Sequence, residues 1–460
     1  MSDEGLRLAV EKMRAAEVAP AAVDVFAAYY RDLEAGATGL IREDDIAPLL
    51  DPPRLDSVTV PETDARDALA RTAIIKLNGG LGTSMGMDRA KSLLPVRDGL
   101  SFLDVIARQV RTARARYGAR LPLILMNSFR TQQDSLEALA AYPDLKVGEL
   151  PLDFLQNREP KLLADDLTPV AWPADPSLEW CPPGHGDLYT AIEASGVLDA
   201  LLEAGFAYAS VSNSDNLGAA PDPRIAGWFA ESGAPYAAEL CRRTAADRKG
   251  GHLAIRRSDG RLVLRDTAQT APEEMDYFTD EHRHPFFHTN NLWFDLAALR
   301  RVLTARKGVL GLPLIRNVKT VDPTDATSPA VVQVESAMGA AIEVFEGATA
   351  IVVPRARFLP VKTTNDLLLL RSDAYALSDA AVLELTADPA PLVDLDPAHY
   401  KTISAFDAHF PAGPPSLREA TSFTVRGDWT FAAGVVAAGD VALADSGAPG
   451  YVPERTHLGG

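Results

Sequence analysis

Strand-like and helix-like segments alternate along the middle of this chain, from Thr72 to about Leu377. The candidate strands are Thr72–Leu77, Pro122–Met126, Tyr208–Asn213, Tyr236–Cys241, Ala330–Glu335 and Thr349–Val353. The candidate helices are Phe102–Tyr117, Thr131–Ala140, Asp187–Leu202, Pro223–Glu231, Asp295–Arg306, Ser336–Phe345 and Thr363–Tyr375. This alternation predicts an α/β fold, with a mostly parallel sheet and helices on both faces. Ligands of such sheets bind beyond the carboxyl ends of the strands.

The two ends of the chain differ from this middle part. Residues 1–70 show helical periodicity followed by a polar linker, which predicts a helical N-terminal region. Residues 378–460 hold proline-rich turns and short β runs, with Gly-Asp pairs that begin at positions 427 and 439, 12 residues apart. This spacing indicates either stacked coils of a small β-helix or a plain β-hairpin. The expected domains are therefore 1–70, 71–377 and 378–460.

Composition narrows the class of protein. The chain has 460 residues, which suits two or three domains, and a formal net charge of −18, which disfavours nucleic acid and anionic membranes as partners. A few local lysines can still make a cleft that binds small polyanions. No apolar run approaches the ~20 residues of a membrane span, and the N-terminus has no apolar signal core. Two cysteines cannot build a disulfide framework, so we expect a cytoplasmic protein.

A glycine-rich segment, KLNGGLGTSMGMDRAK from Lys76 to Lys91, follows a short apolar run. A strand that leads into such a loop lets backbone N–H groups approach an anion, and Lys76, Arg89 and Lys91 suggest a phosphate ligand. The segment matches neither the Walker A pattern nor the GxGxxG dinucleotide fingerprint. Its composition alone leaves an ordinary glycine-rich connector as the alternative.

A polar cluster follows the candidate strand Tyr208–Asn213. Asp215, just beyond this strand, is well placed to hold Mg²⁺ against phosphate oxygens, because Mg²⁺ favours one or two carboxylates together with substrate oxygens. The alternative for this segment is that Asp215 only caps a turn.

Three further segments carry candidate binding residues. The segment CPPGHGD predicts a rigid turn with His185 at its tip. His185 could donate a hydrogen bond to phosphate or be an ordinary surface residue. Asp187 can cap the next helix. No other His or Cys around this turn has metal-ligand spacing. Asn290 and Asn291 suit sugar hydroxyls, which need both donors and acceptors, although asparagine is also common in turns. Lys362 precedes two threonines at a predicted helix start, which favours an anion or marks a solvated basic patch.

Several of these motifs occur together in a fixed order. They are KLNGGLGTSMGMDRAKSLLPVRDGLSFLD, LMNSFRTQQDS, WCPPGHGDLYTAI, VSNSDNLGA, RTAADRKGG, HTNNLWFDL, VESAMGAAIEVFEG and VPRARFLPVKTTNDLLLLRSDAY. Between about Arg71 and Tyr375, the chain thereby resembles the UTP–glucose-1-phosphate uridylyltransferases of the eukaryotic type. The resemblance implies a Rossmann-like nucleotidyltransferase mixed sheet flanked by helices, with a helical N-terminal segment and a small C-terminal left-handed β-helix.

The resemblance also implies residues that bind the nucleotide. The backbone of Leu81 and Gly82 would hold the triphosphate of UTP, and Lys91 would contact its phosphates. Gln156 would read the uracil edge with Gly184 beside it. Asn213 would reach the nucleoside or the sugar.

The residues implied for the sugar phosphate lie on other segments. His185 would donate a hydrogen bond to the phosphate group of glucose 1-phosphate, and Asn290 and Asn291 would lie beside glucose. Lys362 would bridge the phosphates of both substrates, which makes it, with Lys91, a candidate catalytic residue. Asp215 would bind Mg²⁺. Lys249 and Lys319 match lysines of the family whose roles we leave open.

Two features depart from the family pattern. Many members have Glu in the segment that resembles LVLRDTAQ, where this chain has Asp266. This shorter carboxylate can still accept hydrogen bonds from sugar hydroxyls, but its reach differs. The C-terminal region is short. In some relatives this region builds the oligomer, which makes it the candidate surface for a homo-oligomer.

We therefore expect Mg-dependent, reversible uridylyl transfer from UTP to glucose 1-phosphate, which gives UDP-glucose and pyrophosphate. The expected partners are these small molecules, with no nucleic acid and no membrane. One alternative is a pyrophosphorylase for another sugar 1-phosphate, such as galactose or an N-acetylhexosamine. The other is a non-catalytic protein that binds UDP-sugars. The presence of Lys91, Asp215 and Lys362 together argues against the non-catalytic alternative, because a protein that only binds UDP-sugars does not need all of these phosphate-binding residues.

Overall fold

The computed structural model describes residues 2–244, 247 and 250–459. Its helices are α1 (Ser2–Ala15), α2 (Pro20–Glu34), α3 (Glu62–Ala70), α4 (Phe102–Tyr117), α5 (Gln132–Leu139), α6 (Leu188–Ala194), α7 (Val197–Glu203), α8 (Pro223–Ser232), α9 (Met275–Thr279), α10 (Leu296–Ala305), α11 (Thr364–Arg371), α12 (Pro397–Tyr400) and α13 (Ile403–His409). Within these described ranges, every helix is too short or too polar to span a bilayer.

The strands fall along the whole length of the chain. They are β1 (Ile46–Pro48), β2 (Thr72–Asn78), β3 (Pro95–Arg97), β4 (Leu100–Ser101), β5 (Leu123–Asn127), β6 (Asp153–Leu155), β7 (Glu159–Pro160), β8 (Leu162–Leu163), β9 (Trp180–Cys181), β10 (Tyr208–Asn213), β11 (Tyr236–Arg242), β12 (His252–Arg256), β13 (Leu262–Arg265), β14 (Phe286–Asp295), β15 (Ile315–Thr320), β16 (Ala330–Glu335), β17 (Thr349–Val352), β18 (Tyr375–Leu377), β19 (Leu383–Leu385), β20 (Leu392–Leu395), β21 (Ser416–Val425), β22 (Trp429–Phe431), β23 (Val436–Leu443), β24 (Gly450–Val452) and β25 (His457–Leu458).

A central mixed sheet has the strand order β17-β11-β14-β10-β2-β5-β6. β14 runs antiparallel to both of its neighbours, and the other neighbouring strands pair in parallel. Side chains of β2 alternate between two buried hydrophobic clusters: Ile74 joins α4 and α8, and Ala73 and Ile75 join α6, α7 and α10. Helices therefore cover both faces, as parallel strands require. The predicted α/β fold with a mixed sheet flanked by helices is confirmed.

Helix boundaries follow local capping signals. α4 has the predicted bounds, because Ser101 and Asp104 form a capping box at its start and Gly118, with φ 66°, ends it. The predicted helix over Asp187–Leu202 is instead divided into α6 and α7, because Gly196 adopts φ 77° between them. The predicted helix over Ser336–Phe345 contains a 3-10 segment, Met338–Glu343. The predicted helix over Thr363–Tyr375 ends at Arg371, and Tyr375 begins β18.

Two strands lie in the sheets at positions that the sequence does not predict. Ala330–Glu335 is strand β16, but it pairs antiparallel with β15 and β8 in a separate sheet. In contrast, the segment that holds Asn290 and Asn291, which is not among the predicted strands, is part of β14 in the middle of the central sheet. His288, Thr289 and Asn291 are buried polar residues of this strand, so its sequence does not show the apolar run expected of a buried strand.

The two terminal regions add smaller sheets. The N-terminal region contains α1, α2 and α3, and also β1, which pairs with β12. In the C-terminal region β20, β21, β23 and β25 pair in parallel, as do β22 and β24. A β-hairpin joins antiparallel strands, so the hairpin alternative for this region is wrong.

Candidate active site

A cleft of ≈ 290 Å³ lies at the carboxyl edge of the central sheet. Because β14 is antiparallel, its first residues lie at the same edge as the last residues of β10 and β11. The lining residues are His185, Asn213, Asn216, Asp247, Gly250, Gly251, Leu264, Asp266, Phe287, His288, Thr289, Asn290, Ala337, Phe358, Pro360 and Lys362. Residues that are far apart in the sequence, including several of the predicted site residues, therefore share one space.

The glycine-rich segment leaves β2 and closes on itself. Leu81 forms a β-bridge with Ala90, and the Lys91 N–H donates to the Gly80 carbonyl at 3.2 Å. Gln156 packs against Gly79, where a Cβ atom would lie 2.7 Å from the Gln156 Oε1 atom. The segment thus forms a compact loop with the predicted uracil-reading side chain against its backbone.

The three basic residues of this segment have different surroundings. Lys76 is buried, and its Nζ donates to Ser212 Oγ at 2.7 Å and to the Ala219 carbonyl at 2.9 Å. Arg89 is exposed and pairs with Asp134 at 3.3 Å. Lys91 turns toward Asp215, just beyond β10, which pairs with β2 in the sheet. Of the three basic residues, Lys91 is therefore the one that is held beside another candidate site residue, Asp215.

An ion pair joins the glycine-rich loop to the end of β10. The Lys91 Nζ donates to Asp215 Oδ2 at 2.6 Å and also to the Val361 carbonyl. The second carboxylate oxygen, Asp215 Oδ1, is buried and has no hydrogen-bond partner among the described residues. A buried carboxylate oxygen without a donor is costly unless a cation or a water molecule fills the space beside it.

A β-bulge in β14 turns Asn290 into the cleft. The pairing of β11 with β14 shifts between Ala238 and Leu240, and Asn290 adopts the left-handed conformation with φ 63°. The Asn290 N–H donates to His288 Nδ1 at 3.1 Å. Burial lowers the pKa of His288 to about 3, so its ring is neutral and carries its proton on Nε2. That Nε2 is buried without a partner among the described residues, so it is an available donor.

Asn291 is buried behind this bulge rather than in the lining of the cleft. Its amide donates to Glu239 Oε2 at 3.0 Å and accepts from Asn216 at 3.0 Å. Arg357 and Trp293 also donate to Glu239, at 2.7 and 2.9 Å. Burial would raise the pKa of Glu239, but the Arg357 guanidinium and these hydrogen bonds hold it below its usual range. The network fixes the wall of the cleft from which Asn290 projects.

The turn that carries His185 rests on the backbone of Ser336. Gly184 has φ 78°, and its Cβ position lies 2.6 Å from the Ser336 carbonyl oxygen. The Met338 N–H donates to His185 Nδ1 at 2.9 Å. Burial lowers the pKa of His185, against the opposing charges of Asp266 and Glu335. The surrounding protein thus favours a neutral ring. The side chain is exposed in the cleft, and its Nε2, which has no partner among the described residues, is an available donor.

Asp187 binds a neighbouring loop instead of capping the next helix. Its carboxylate accepts from the Asn157 N–H at 2.6 Å and from Asn157 Nδ2 at 2.8 Å. Burial raises the pKa of Asp187 to about 7, although both of these hydrogen bonds lower it. Because Asn157 follows Gln156, Asp187 connects the His185 turn to the predicted uracil-reading residue.

Gly184→Ala is expected to destabilise the protein by roughly 3 kcal/mol, because a methyl group would meet backbone atoms at a left-handed position. Gly99→Ala is the matched control, since Gly99 has φ 75° but no atom within 4 Å of its Cβ position. It should cost about 1 kcal/mol. Urea unfolding of both variants measures the difference, and equal losses would show that the contact with Ser336 is unimportant.

Lys362 stands at the start of α11, but the backbone there is already occupied. The Asp366 carboxylate accepts from the N–H groups of Lys362 and Thr363, each at 2.8 Å. A second anion at this helix end would therefore have to compete with Asp366. The Lys362 side chain is exposed in the cleft, and among the described residues its ammonium has no hydrogen-bond or ion-pair partner. The ammonium, rather than the helix end, is the available positive charge.

Three further residues from the sequence analysis have distinct positions. Asp266 lines the cleft and accepts from the Thr267 N–H at 2.6 Å. Lys319 lies outside the cleft lining, on β15, where it pairs with Glu335 at 3.6 Å. Lys249 lies outside the described residues.

Lys76 makes stability depend on pH. Burial, with a smaller contribution from Arg357, lowers the pKa of Lys76 to about 7. Between pH 7 and about 10.4, the unfolded chain keeps this proton and the folded chain does not, so stability rises with pH. Relative to Lys76→Met, the wild type should gain up to about 1.4 kcal/mol per pH unit in this range. Urea unfolding at pH 7.5 and 9.0 tests this, and parallel pH profiles of the two proteins would contradict it.

Sequence reasoning missed the residues that hold the cleft wall. Glu239 is a lone charge within an apolar strand, and Lys76 is another. A single charge within a buried strand must find a partner, so both could have been marked as members of a buried network. Arg357 and His288 carry no such local signal, because Arg357 pairs with Glu239 118 positions away and the place of His288 depends on the bulge in β14.

Known proteins resemble this chain over most of its length. A family model described as UTP–glucose-1-phosphate uridylyltransferase matches residues 23–437. A protein of that name from Hordeum vulgare is 40% identical over 403 residues, which are 85% of this chain and 82% of the relative. One from Saccharomyces cerevisiae is 41% identical over 366 residues, which are 78% of this chain and 71% of the relative. The solved structure of a variant UDP-glucose pyrophosphorylase from Leishmania major, in complex with UDP-glucose, has a TM-score of 0.93 and 42% identity, and the match covers 99% of this chain and 98% of that one.

Proposed function

This chain belongs to the UTP–glucose-1-phosphate uridylyltransferase family and is a nucleotidyltransferase, and on that premise we propose that it makes UDP-glucose and pyrophosphate from UTP and glucose 1-phosphate. We propose that the reaction is reversible and requires Mg²⁺. The observation that carries this proposal is the convergence, at one sheet edge, of the Lys91–Asp215 pair, the free ammonium of Lys362 and the donor His185. Two polyanionic substrates need such a set of charges and donors.

We assign the nucleotide to the side of the cleft near the glycine-rich loop. The backbone of Leu81 and Gly82 would hold the triphosphate, with Lys91 on its phosphates. Gln156 would read the uracil edge, and its contact with Gly79 supports that assignment. Gly184 would lie beside the base and Asn213 would reach the nucleoside or sugar.

The sugar phosphate would bind among residues that line the cleft itself. His185 would donate through Nε2 to the phosphate group, and Lys362 would bridge the phosphates of both substrates. Asn290 and Asp266 would bind glucose hydroxyls, since both line the cleft. Asn291 would act as a positioning residue for Asn290, because its amide is held by Glu239.

Asp215 is the residue that would hold Mg²⁺. Its Oδ2 engages Lys91, and its buried Oδ1, without a partner among the described residues, suits a cation that prefers carboxylate oxygens. When bound, the ion would neutralise negative charge on the phosphates.

The side chains act mainly by positioning the two substrates and by neutralising their negative charge. A phosphate oxygen of glucose 1-phosphate attacks the α-phosphorus of UTP, the bond to the bridging oxygen of the β-phosphate breaks, and pyrophosphate leaves. Lys91 and Lys362 hold the two anions in line and reduce the repulsion between them. The attacking phosphate is already an anion near neutral pH, so the reaction needs no general base. A neutral His185 is consistent with this, because it serves as a donor.

We extend the proposal to the rest of the chain. Residues 1–70, 71–377 and 378–460 would form separate domains, and the parallel strands of the last would wind as a left-handed β-helix that carries any contact between copies. The free, buried thiols of Cys181 and Cys241 suit the reducing cytoplasm.

A pyrophosphate-release assay with a panel of nucleoside triphosphates and sugar 1-phosphates, with and without EDTA, tests the function. We expect the highest kcat/KM for UTP with glucose 1-phosphate, no release in EDTA, and formation of UTP from UDP-glucose and pyrophosphate.

A second candidate substrate, another sugar 1-phosphate, is favoured by the shorter reach of Asp266. A higher kcat/KM for galactose 1-phosphate or an N-acetylhexosamine 1-phosphate would support it, and no release with any pair would contradict both.

A further inference from the structure

Two histidines and an aspartate meet in the C-terminal region, on segments outside the lining of the cleft. His399 lies on α12, His409 ends α13, and Asp428 precedes β22. One potential ligand atom from each residue lies within 4.8 Å of the other two. The side chains of His409 and Asp428 are 14% and 36% exposed, so the group is partly shielded but open to solvent.

The hydrogen bonds of His409 direct one ring nitrogen to a backbone carbonyl and the other to Asp428. Its Nδ1 lies 2.6 Å from the Ala405 carbonyl, which can only accept, so Nδ1 carries a proton. In the neutral ring, Nε2 then presents a lone pair to Asp428 Oδ1 at 2.9 Å. Two acceptors at that distance repel unless a proton or a metal ion lies between them. His399 adds a third potential ligand. A shared proton would involve only His409 and Asp428, so the third ligand favours a metal ion.

We propose that His399, His409 and Asp428 form a binding site for a divalent transition-metal ion of the zinc type. Two imidazole nitrogens and one carboxylate oxygen are donors that Zn²⁺ and Co²⁺ accept readily, whereas Mg²⁺ prefers oxygen ligands alone. The hydrogen bond to Ala405 is the outer contact that commonly orients a histidine ligand, because it leaves the other nitrogen free for the metal. The site thus differs in donor chemistry from Asp215.

Contacts of Tyr400 hold the ligands of the site in place. The ring of Tyr400 lies 4.6 Å from the ring of His409, and its hydroxyl donates to the Trp429 carbonyl at 2.6 Å. Trp429 directly follows Asp428, so the same contacts fix both sides of the site. Ligands held in this way lose little freedom when a metal binds.

Calorimetric titration of the full chain with Zn²⁺ tests the proposal. The protein is prepared without a histidine tag, stripped of metal with a chelator and kept in millimolar Mg²⁺, so that the Mg²⁺ site proposed at Asp215 is filled. We expect one Zn²⁺ per chain with micromolar or tighter affinity, and a loss of at least tenfold in His399→Gln and in His409→Gln. His457→Gln is the matched control, because His457 is exposed on β25, and it should bind as the wild type does.

Two further measurements separate metal binding from a failure to fold. Zn²⁺ should raise the melting temperature of the wild type and of His457→Gln by several degrees, but not that of the other two variants. Co²⁺ should give visible absorption bands of a histidine-ligated ion in the same two proteins only. Normal formation of UDP-glucose by all variants would show that they are folded. The absence of stoichiometric Zn²⁺ binding, or binding unchanged in His399→Gln and His409→Gln, would overturn the proposal and leave a protonated His409 paired with Asp428.

Discussion

Asp215→Asn is expected to lower the turnover of UDP-glucose synthesis by about 1000-fold, roughly 4 kcal/mol of transition-state stabilisation. The amide keeps the shape of the carboxylate but lacks its charge. Lys91 then loses the charge of the partner that holds its ammonium at 2.6 Å, and the buried Oδ1 position attracts a cation much less strongly. A coupled pyrophosphate-release assay measures the loss. We also expect the variant to need a higher Mg²⁺ concentration for half-maximal rate, which a purely structural role would not produce.

The control for this prediction is Asp134→Asn. Asp134 also pairs with a basic residue of the glycine-rich segment, Arg89, but on the exposed surface. Surface pairs contribute at most about 1 kcal/mol, so its turnover should remain within a few-fold of the wild type. Turnover of Asp215→Asn within tenfold of the wild type, at an unchanged circular dichroism spectrum, would rule out the proposed role of Asp215.

Lys362→Ala is expected to lower kcat by about 1000-fold with little change in stability. Its ammonium is exposed in the cleft and has no partner among the described residues, so nothing in the fold depends on it. The same freedom makes its charge available to two phosphate groups that approach each other. Because bridging increases as the transition state forms, the loss should fall on kcat more than on KM. Steady-state kinetics with each substrate varied measures the two parameters.

Two companion variants sharpen the test of Lys362. Lys362→Arg keeps a positive charge and should recover part of the lost rate, which would separate charge from packing. Lys146→Ala, at an exposed lysine outside the cleft lining that is near Glu149, should have no measurable effect. Equal losses in Lys362→Ala and Lys362→Arg would point to geometry alone, and a kcat close to the wild type in Lys362→Ala would end its assignment as a catalytic residue.

Local patterns in the sequence were sufficient for much of the fold. The predicted bounds of α4 agree with the structure because its cap residues, Ser101 and Gly118, act on their own neighbours. The predicted strand Tyr208–Asn213 also has its observed bounds, as β10. Prediction was weaker where a break in a helix depends on one residue, as at Gly196, because glycine also occurs within helices.

The sequence by itself determined the type of fold, because the alternation of elements is a local property of the chain, and its glycine-rich loop after a strand suggested a phosphate ligand. Only the tertiary structure decided how the site is built. Lys91 and Asp215 form their pair across 124 positions of the sequence, and β14 enters the sheet antiparallel to strands on both sides. Long-range pairing is selected by the burial of whole strands and by the hydrogen bonds of groups such as Glu239, and no short segment carries that information. The bulge that turns Asn290 into the cleft exists only in the paired strand.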